Sequence, residues 1–338
     1  MTTYAITEAA TTAPAGSRRG TPRWLMAYLY ILPAAVIMGA ITYWPILFQF
    51  WMSFTDYGVR NLRFDADPPN VVGLDNFTAL IRNDMAMIPN FNFWGMLGFN
   101  LFWTFSNVIL HVAIGIVIAV ILNSPGLRFR GFYRAIFILP IVIPTLVVAT
   151  VWRNMFDPDY GAINQSLAAV GGLFGMSPES FHIRWIDQVD PPIPGIPLPL
   201  SYFALLITNI WLGWPFMTIV ATGALQSISK EYYEAASIDG ASGLQQFARI
   251  TLPLLRPAMI PAAMYGMIVT FNLFNLIYMT SGGGPLRQTE ILVTTAFRLV
   301  NEQRLYGVAA AFGIYTMLIL LVLTLLTNRI SKATESYV

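Results

Sequence analysis

Cysteine is absent from all 338 residues, histidine occurs twice, and charged side chains make up only 11% of the chain. No cysteine means no disulfide framework, no thiolate metal site and no cysteine nucleophile. With only His111 and His182, and no HExxH or GxSxG pattern, neither a metalloprotease nor a serine hydrolase can be assembled. A phosphate-cradling GxxxxGK[ST] loop is also missing, so uphill work would need an energy source on another chain. A soluble domain of this size carries roughly a quarter charged residues; the shortage points to a bilayer. The net charge is +2 with no long basic run, which argues against nucleic acid as a partner.

What the chain has instead is hydrophobic length. Residues 1–22, rich in Thr, Ala and Ser and holding Arg18 and Arg19, are expected to be a disordered cytoplasmic tail. The uncharged run from Trp24 to Thr55 is too long for a signal-peptide core and reads as an uncleaved first span, with kinks expected at Pro33 and Pro45. The pattern predicts an all-α membrane domain over 23–328 with six spans, at about 24–54, 94–122, 135–152, 200–226, 258–280 and 306–328. A short tail, 329–338, follows. The termini, the Arg128 loop and the loop after the fourth span hold 11 of the 19 basic residues. That bias predicts cytoplasmic N and C termini. The expected spans hold no Asp, Glu, Lys or Arg inside, which weakens an ion-coupled secondary transporter. His111, in the second span, reads as either a packed histidine or a proton relay. The long outward loops, residues 56–93 and 153–199, are candidate docking surfaces or simply solvated loops.

One polar island interrupts the C-terminal half: Glu231 to Pro257, EYYEAASIDGASGLQQFARITLPLLRP. Ser229 can cap a short helix with Glu231 in its first turn. Gly240 permits a turn, and Ser242 with Gln245 forms a capping-box pattern for a second helix. The expected product, spanning 229–257, is a helix, turn, helix at the cytoplasmic face. Its composition admits an amphipathic helix resting on lipid or a surface for a protein partner, including that of a membrane scaffold or receptor.

EAASIDGASGLQQFARITLP resembles the EAA loop of binding-protein-dependent ABC importer permeases, matching its pattern at Glu234, Ala235, Ala236, Gly240, Ile250, Leu252 and Pro253. FRGFYRAIFILPIVIP at Phe129 to Pro144, VWRNMFDPDYGAINQSL at Val151 to Leu167, WLGWPF at Trp211 to Phe216 and MTSGGGP at Met279 to Pro285 are similar to the carbohydrate-uptake branch, of maltose and glycerol-phosphate permease type. The resemblance implies a type I importer permease in a bacterial plasma membrane, working by alternating access. It also implies a second permease subunit, a cytoplasmic ATPase dimer that binds the ATP and Mg, and an extracytoplasmic solute-binding protein. This chain would then hold no cofactor and catalyse nothing itself. By the same resemblance Glu234, Ala235, Ala236, Asp239 and Gly240 couple to the ATPase. Asn209, Trp211, Gly213, Phe216, Thr270, Asn272 and Asn275 become candidate contacts for a sugar. Phe216 stands where the family's maltose permease has a tyrosine. A di- or oligosaccharide is implied, with trehalose in an actinobacterial importer as the specific expectation.

Overall fold

The computed structural model describes residues 22–331 apart from 86, 87 and 125. Most of both expected tails, including Arg18 and Arg19, lies outside the described residues. The regular elements among the described residues are all helices, apart from one isolated antiparallel bridge between Thr55 and Val71. Two compact units are distinguished, Met1–Gln49 and Phe50–Val338.

Helix α1 (Arg23–Met38) of the first unit passes through a π-helical turn, Gly39–Tyr43, into α2 (Trp44–Met52), within which the first unit ends. Pro45 explains the turn: its ring excludes the carbonyl four residues back, and the ladder shifts so that the Trp44 N–H donates to the Gly39 carbonyl, five back. Proline here changes the pitch without ending the span.

The second unit is organised around α4 (Phe93–Asn123), whose start is capped by the Asn92 side chain accepting from Gly95 N–H at 3.0 Å. Helix α8 (Leu200–Gln226) runs parallel to it, as successive contacts down both chains require: Tyr202 on Ser106, Asn209 on Asn107, and Met217 against Gly115. Gly115 lets the backbones approach, since a Cβ there would overlap Met217. Three apolar clusters hold the unit. Trp103, Ala149, Tyr202, Leu205, Leu276 and Ile277 form the middle one. Ile116, Ala119, Met217, Ala221, Leu255, Met259 and Ala262 form a second below it. Near the start of α4, Phe77, Leu80, Phe93, Phe271, Leu299 and Phe312 belong to the third, drawing in α3 (Asp75–Ile81).

The expected third span is two helices. Helix α5 (Arg130–Val142) and α6 (Thr145–Met155) meet at 96°. Ile143, directly before Pro144, is driven into an extended conformation that no helix can continue through. A short α7 (Ala162–Gly172) follows in the segment before α8.

The expected fifth span is also redistributed. Helix α9 (Lys230–Ile238) stands alone, but α10 (Gly243–Gln246), a second π-helical turn (Phe247–Thr251) and α11 (Leu252–Phe271) form one continuous membrane-length helix. Pro253 produces this π turn as Pro45 does the first, with Leu252 N–H donating to Phe247 O. The helix ends at Asn272, short of the expected 280, and α12 (Phe274–Thr280) restarts after Leu273. Helices α13 (Leu292–Asn301) and α14 (Tyr306–Ser331) complete the chain. Among the described residues five helices are long and apolar enough to cross a membrane, and the bent α5 and α6 pair makes up to six.

Candidate functional site: a central cavity and an exposed loop

The α11 to α12 break is stabilised from α4. Unwinding frees two carbonyls; Trp103 Nε1 donates to Thr270 O at 3.2 Å and Asn100 Nδ2 to Phe271 O at 3.2 Å. Asn100 Oδ1 in turn accepts from Leu292 N–H at 2.9 Å, the first residue of α13. One fully buried amide thus closes the end of one helix and the start of another. Asn272 at the break turns its own amide back to Ile268 O at 3.1 Å.

Beside this break lies a cavity of about 370 Å³ between α5, α8 and α11, lined by His111, Pro140, Asn209, Gly213, Phe216, Tyr265, Thr270 and apolar neighbours. It brings together Asn209, Gly213, Phe216 and Thr270 of the expected sugar contacts. The first two are committed to the α4 and α8 seam. Asn209 Nδ2 donates to Asn107 Oδ1 at 2.8 Å, its carbonyl meets His111 Nε2 at 2.9 Å, and a Cβ on Gly213 would fall on the His111 ring. His111 is therefore buried and hydrogen-bonded between helices. Phe216 packs on Tyr265, ring centres 5.5 Å apart. Tyr265 is 58% exposed and brings a phenol to a cavity wall where Phe216 has none. Sequence reasoning missed it; its spacing one helical turn before Val269 and Thr270 was the available signal.

Trp211 goes elsewhere. It lines a separate apolar cavity of about 310 Å³ with Val147, Val151, Trp152 and Met155, its ring centre 6.1 Å from that of Trp152. Asn272 and Asn275 do not line the central cavity, and Asn275 is exposed.

The polar island has the geometry its caps encode. Ser229 accepts from Glu231 N–H, and Ser242 and Gln245 exchange both capping-box bonds. Gly240 sits at φ +77°, with Ala241 N–H donating to Ala236 O at 2.9 Å and Gly240 N–H to Ser237 O at 3.1 Å, the pattern that ends a helix on a left-handed glycine. Tyr233 Oη meets Thr251 Oγ1 at 3.0 Å, and Gln246 Nε2 donates to both Ser237 Oγ and Ala241 O. These bonds clamp α9 against the start of the long helix. Glu234, Ala235, Asp239 and Gly240 are exposed and Ala236 half-buried; the apolar Tyr232, Ile238 and Leu244 are exposed beside them. No cluster of metal-ligating side chains occurs among the described residues.

Residues 111–336 match the family described as binding-protein-dependent transport system inner membrane component. The chain is 33% identical over 315 residues to the galactooligosaccharides transport system permease protein GanP of Bacillus subtilis (strain 168), covering 90% of this chain and 68% of that protein. It is 32% identical over 307 residues to the trehalose/maltose transport system permease protein MalF of Thermococcus litoralis, covering 91% and 94% respectively. Its fold superposes on a chain of a bacterial ABC transporter involved in import of the acidic polysaccharide alginate, with TM-score 0.71, 22% identity and coverage of 93% and 96%. With up to six membrane-crossing segments among the described residues, a broken helix beside a cavity and a capped polar loop, the chain belongs to the binding-protein-dependent transport system inner membrane components and is a multi-pass transport permease subunit.

Proposed function

We propose that this chain is one of two permease subunits of an ATP-driven carbohydrate importer, and that Glu231 to Pro257 receives the stroke of a separate ATPase dimer. The observation carrying the reading is the continuity of the loop with the cavity. Glu234 and Gly240 sit on a capped turn clamped to a helix that runs unbroken from Gly243 to Phe271, and the same helix supplies Tyr265 and Thr270 to the cavity wall. A push on α9 is then delivered to the cavity through packed elements with no flexible linker between. ATP and Mg belong to the partner ATPase, and an extracytoplasmic binding protein delivers the solute. The loop faces the cytoplasm, as do both termini.

The relatives named for galactooligosaccharides and for trehalose and maltose support a neutral di- or oligosaccharide, with trehalose the first disaccharide to test. An apolar ring wall with a phenol, a hydroxyl and amides suits stacking on a sugar face and bonding its hydroxyls. Phe216, Tyr265 and Thr270 are the direct contacts proposed at this cavity, with Asn209 and Gly213 shaping its wall from the α4 and α8 seam; Trp211, Asn272 and Asn275 are proposed as contacts of a rearranged state. The test is uptake of labelled sugar by membrane vesicles with ATP inside. Glu234→Ala is expected to abolish ATP-driven uptake while the chain still inserts and co-purifies with its second permease; uptake that persists without ATP, or no co-purifying nucleotide-binding subunit, overturns the reading.

A further inference from the structure

A second cavity, of about 300 Å³, opens at the end of α4, α5 and α8 nearest the α9 turn. Leu122, Phe137, Ile138, Pro215 and Ile219 give it apolar walls, and Arg134 is its one charged lining residue. The guanidinium is poorly satisfied: Nε is buried without a hydrogen-bond partner among the described residues, and Nη2 reaches Asn123 Oδ1 at only 3.5 Å, an oxygen also approached by Gln226 Nε2 at 3.5 Å. None of the three lining helices can supply a carboxylate, because residues 85–156 and 191–230 contain no Asp or Glu. Within that acid-free stretch Arg128, Arg130 and Arg134 stand together. A fixed cation at the mouth of an apolar pocket, at the end of membrane-crossing helices, has the amphiphilic chemistry of an anionic phospholipid: phosphate for the guanidinium, acyl chain for the walls.

We propose that this pocket is a binding site for one anionic phospholipid, with Arg134 holding its phosphate and Phe137, Ile138 and Ile219 its upper acyl chain. The site is separate from the sugar cavity and does not depend on which sugar is carried. Because α8 forms one wall and only three residues separate its end from the start of α9, a bound lipid braces the base from which the loop moves.

The assembled importer, purified in mild detergent from membranes containing phosphatidylglycerol and phosphatidylethanolamine, tests this by mass spectrometry of the phospholipid it retains. Wild-type protein is expected to retain phosphatidylglycerol, Arg134→Gln to retain about fivefold less, and Arg134→Lys and Arg128→Gln to resemble wild type. Thr222→Trp, which fills the pocket and leaves the guanidinium in place, is expected to expel the lipid too, and keeps the test sound if Arg134→Gln fails to assemble. Retention of only phosphatidylethanolamine, or of no lipid, by the wild type overturns the proposal. So does undiminished retention in both Arg134→Gln and Thr222→Trp, or complete displacement by excess inorganic phosphate, which would make the ligand a soluble anion.

Discussion

At the scale of single residues, the central cavity separates side chains that build it from side chains that face its contents. Gly213 was expected as a sugar contact, yet its lack of a Cβ is what admits the His111 ring between α4 and α8. Gly213→Ala is expected to overpack the seam and cost about 1–3 kcal/mol, read as a lower unfolding midpoint of the solubilised protein. His111→Ala in the same chain should return part of that loss. A Gly213→Ala protein of normal stability with a weakened sugar response would instead make Gly213 a direct contact. Outside the membrane, Asp56 shows how one carboxylate ties a loop. Its oxygens accept from the Asn70 side chain and backbone N–H and from Arg60, and the Asn70 side-chain bond first, then the Arg60 bond, hold its carboxyl below the usual value of 3.8. A lowered folded-state value means that the stabilisation is full above the unfolded value and fades as pH falls through the folded one. Protection of the Asn70 amide from hydrogen exchange should therefore hold at neutral pH and drop in acid below about pH 4, and Asp56→Asn should remove that dependence.

Among elements, the breaks differ in how legible they are. The loop helices were legible as Ser229, Gly240, Ser242 and Gln245, because capping acts within a few residues; the bend between α5 and α6 was read through as one span at about 135–152, although Pro144 carried the local signal for it. The break between α11 and α12 carries no such mark. Asn272 and Leu273 sit in an apolar run without proline or glycine, and the chain unwinds there because Asn100 and Trp103, about 170 residues earlier, accept the task of satisfying its carbonyls. The continuity of α10 with α11 was hidden for the opposite reason: Pro253, Pro257 and Pro261 look like stops, but a π turn absorbs Pro253 and the helix continues past the others. Site residues fared likewise. Spacing identified which residues of α8 lie near the cavity, but not that Trp211 points to the other side, toward α6. Asn100 is the element-scale test. Asn100→Ala leaves Phe271 O and Leu292 N–H buried and unpaired, at about 1–3 kcal/mol each, so a large fall in thermal stability is expected. Asn100→Asp, read at acid pH where the buried carboxyl is neutral, keeps the acceptor for Leu292 and offers an O–H to Phe271 O in place of the amide, and should fall by less there; at neutral pH the buried carboxylate adds its own cost. Equal losses in the two variants would show that the amide does not bridge the helices.

For the whole molecule, the proposed coupling requires the α9 turn and the segment before α8 to lie on opposite sides of one membrane. Residue 160 lies before the first residue of α8, and residue 238 follows its last; α8 is 27 residues long, about 40 Å of helix, enough to cross the hydrocarbon once. The excess of Lys and Arg at the termini, the Arg128 loop and the island is the ground for proposing that the α9 end faces the cytoplasm. Because the natural chain has no cysteine, any introduced thiol is the only one to react. Tyr160 and Ile238 suit this, being 85% and 87% exposed. In right-side-out vesicles a membrane-impermeant maleimide is expected to label Tyr160→Cys at once and Ile238→Cys only after permeabilisation. The reverse pattern would turn the chain over, putting Glu234 on the side without ATP, and the loop could not then be the socket of an ATPase however well its caps are formed.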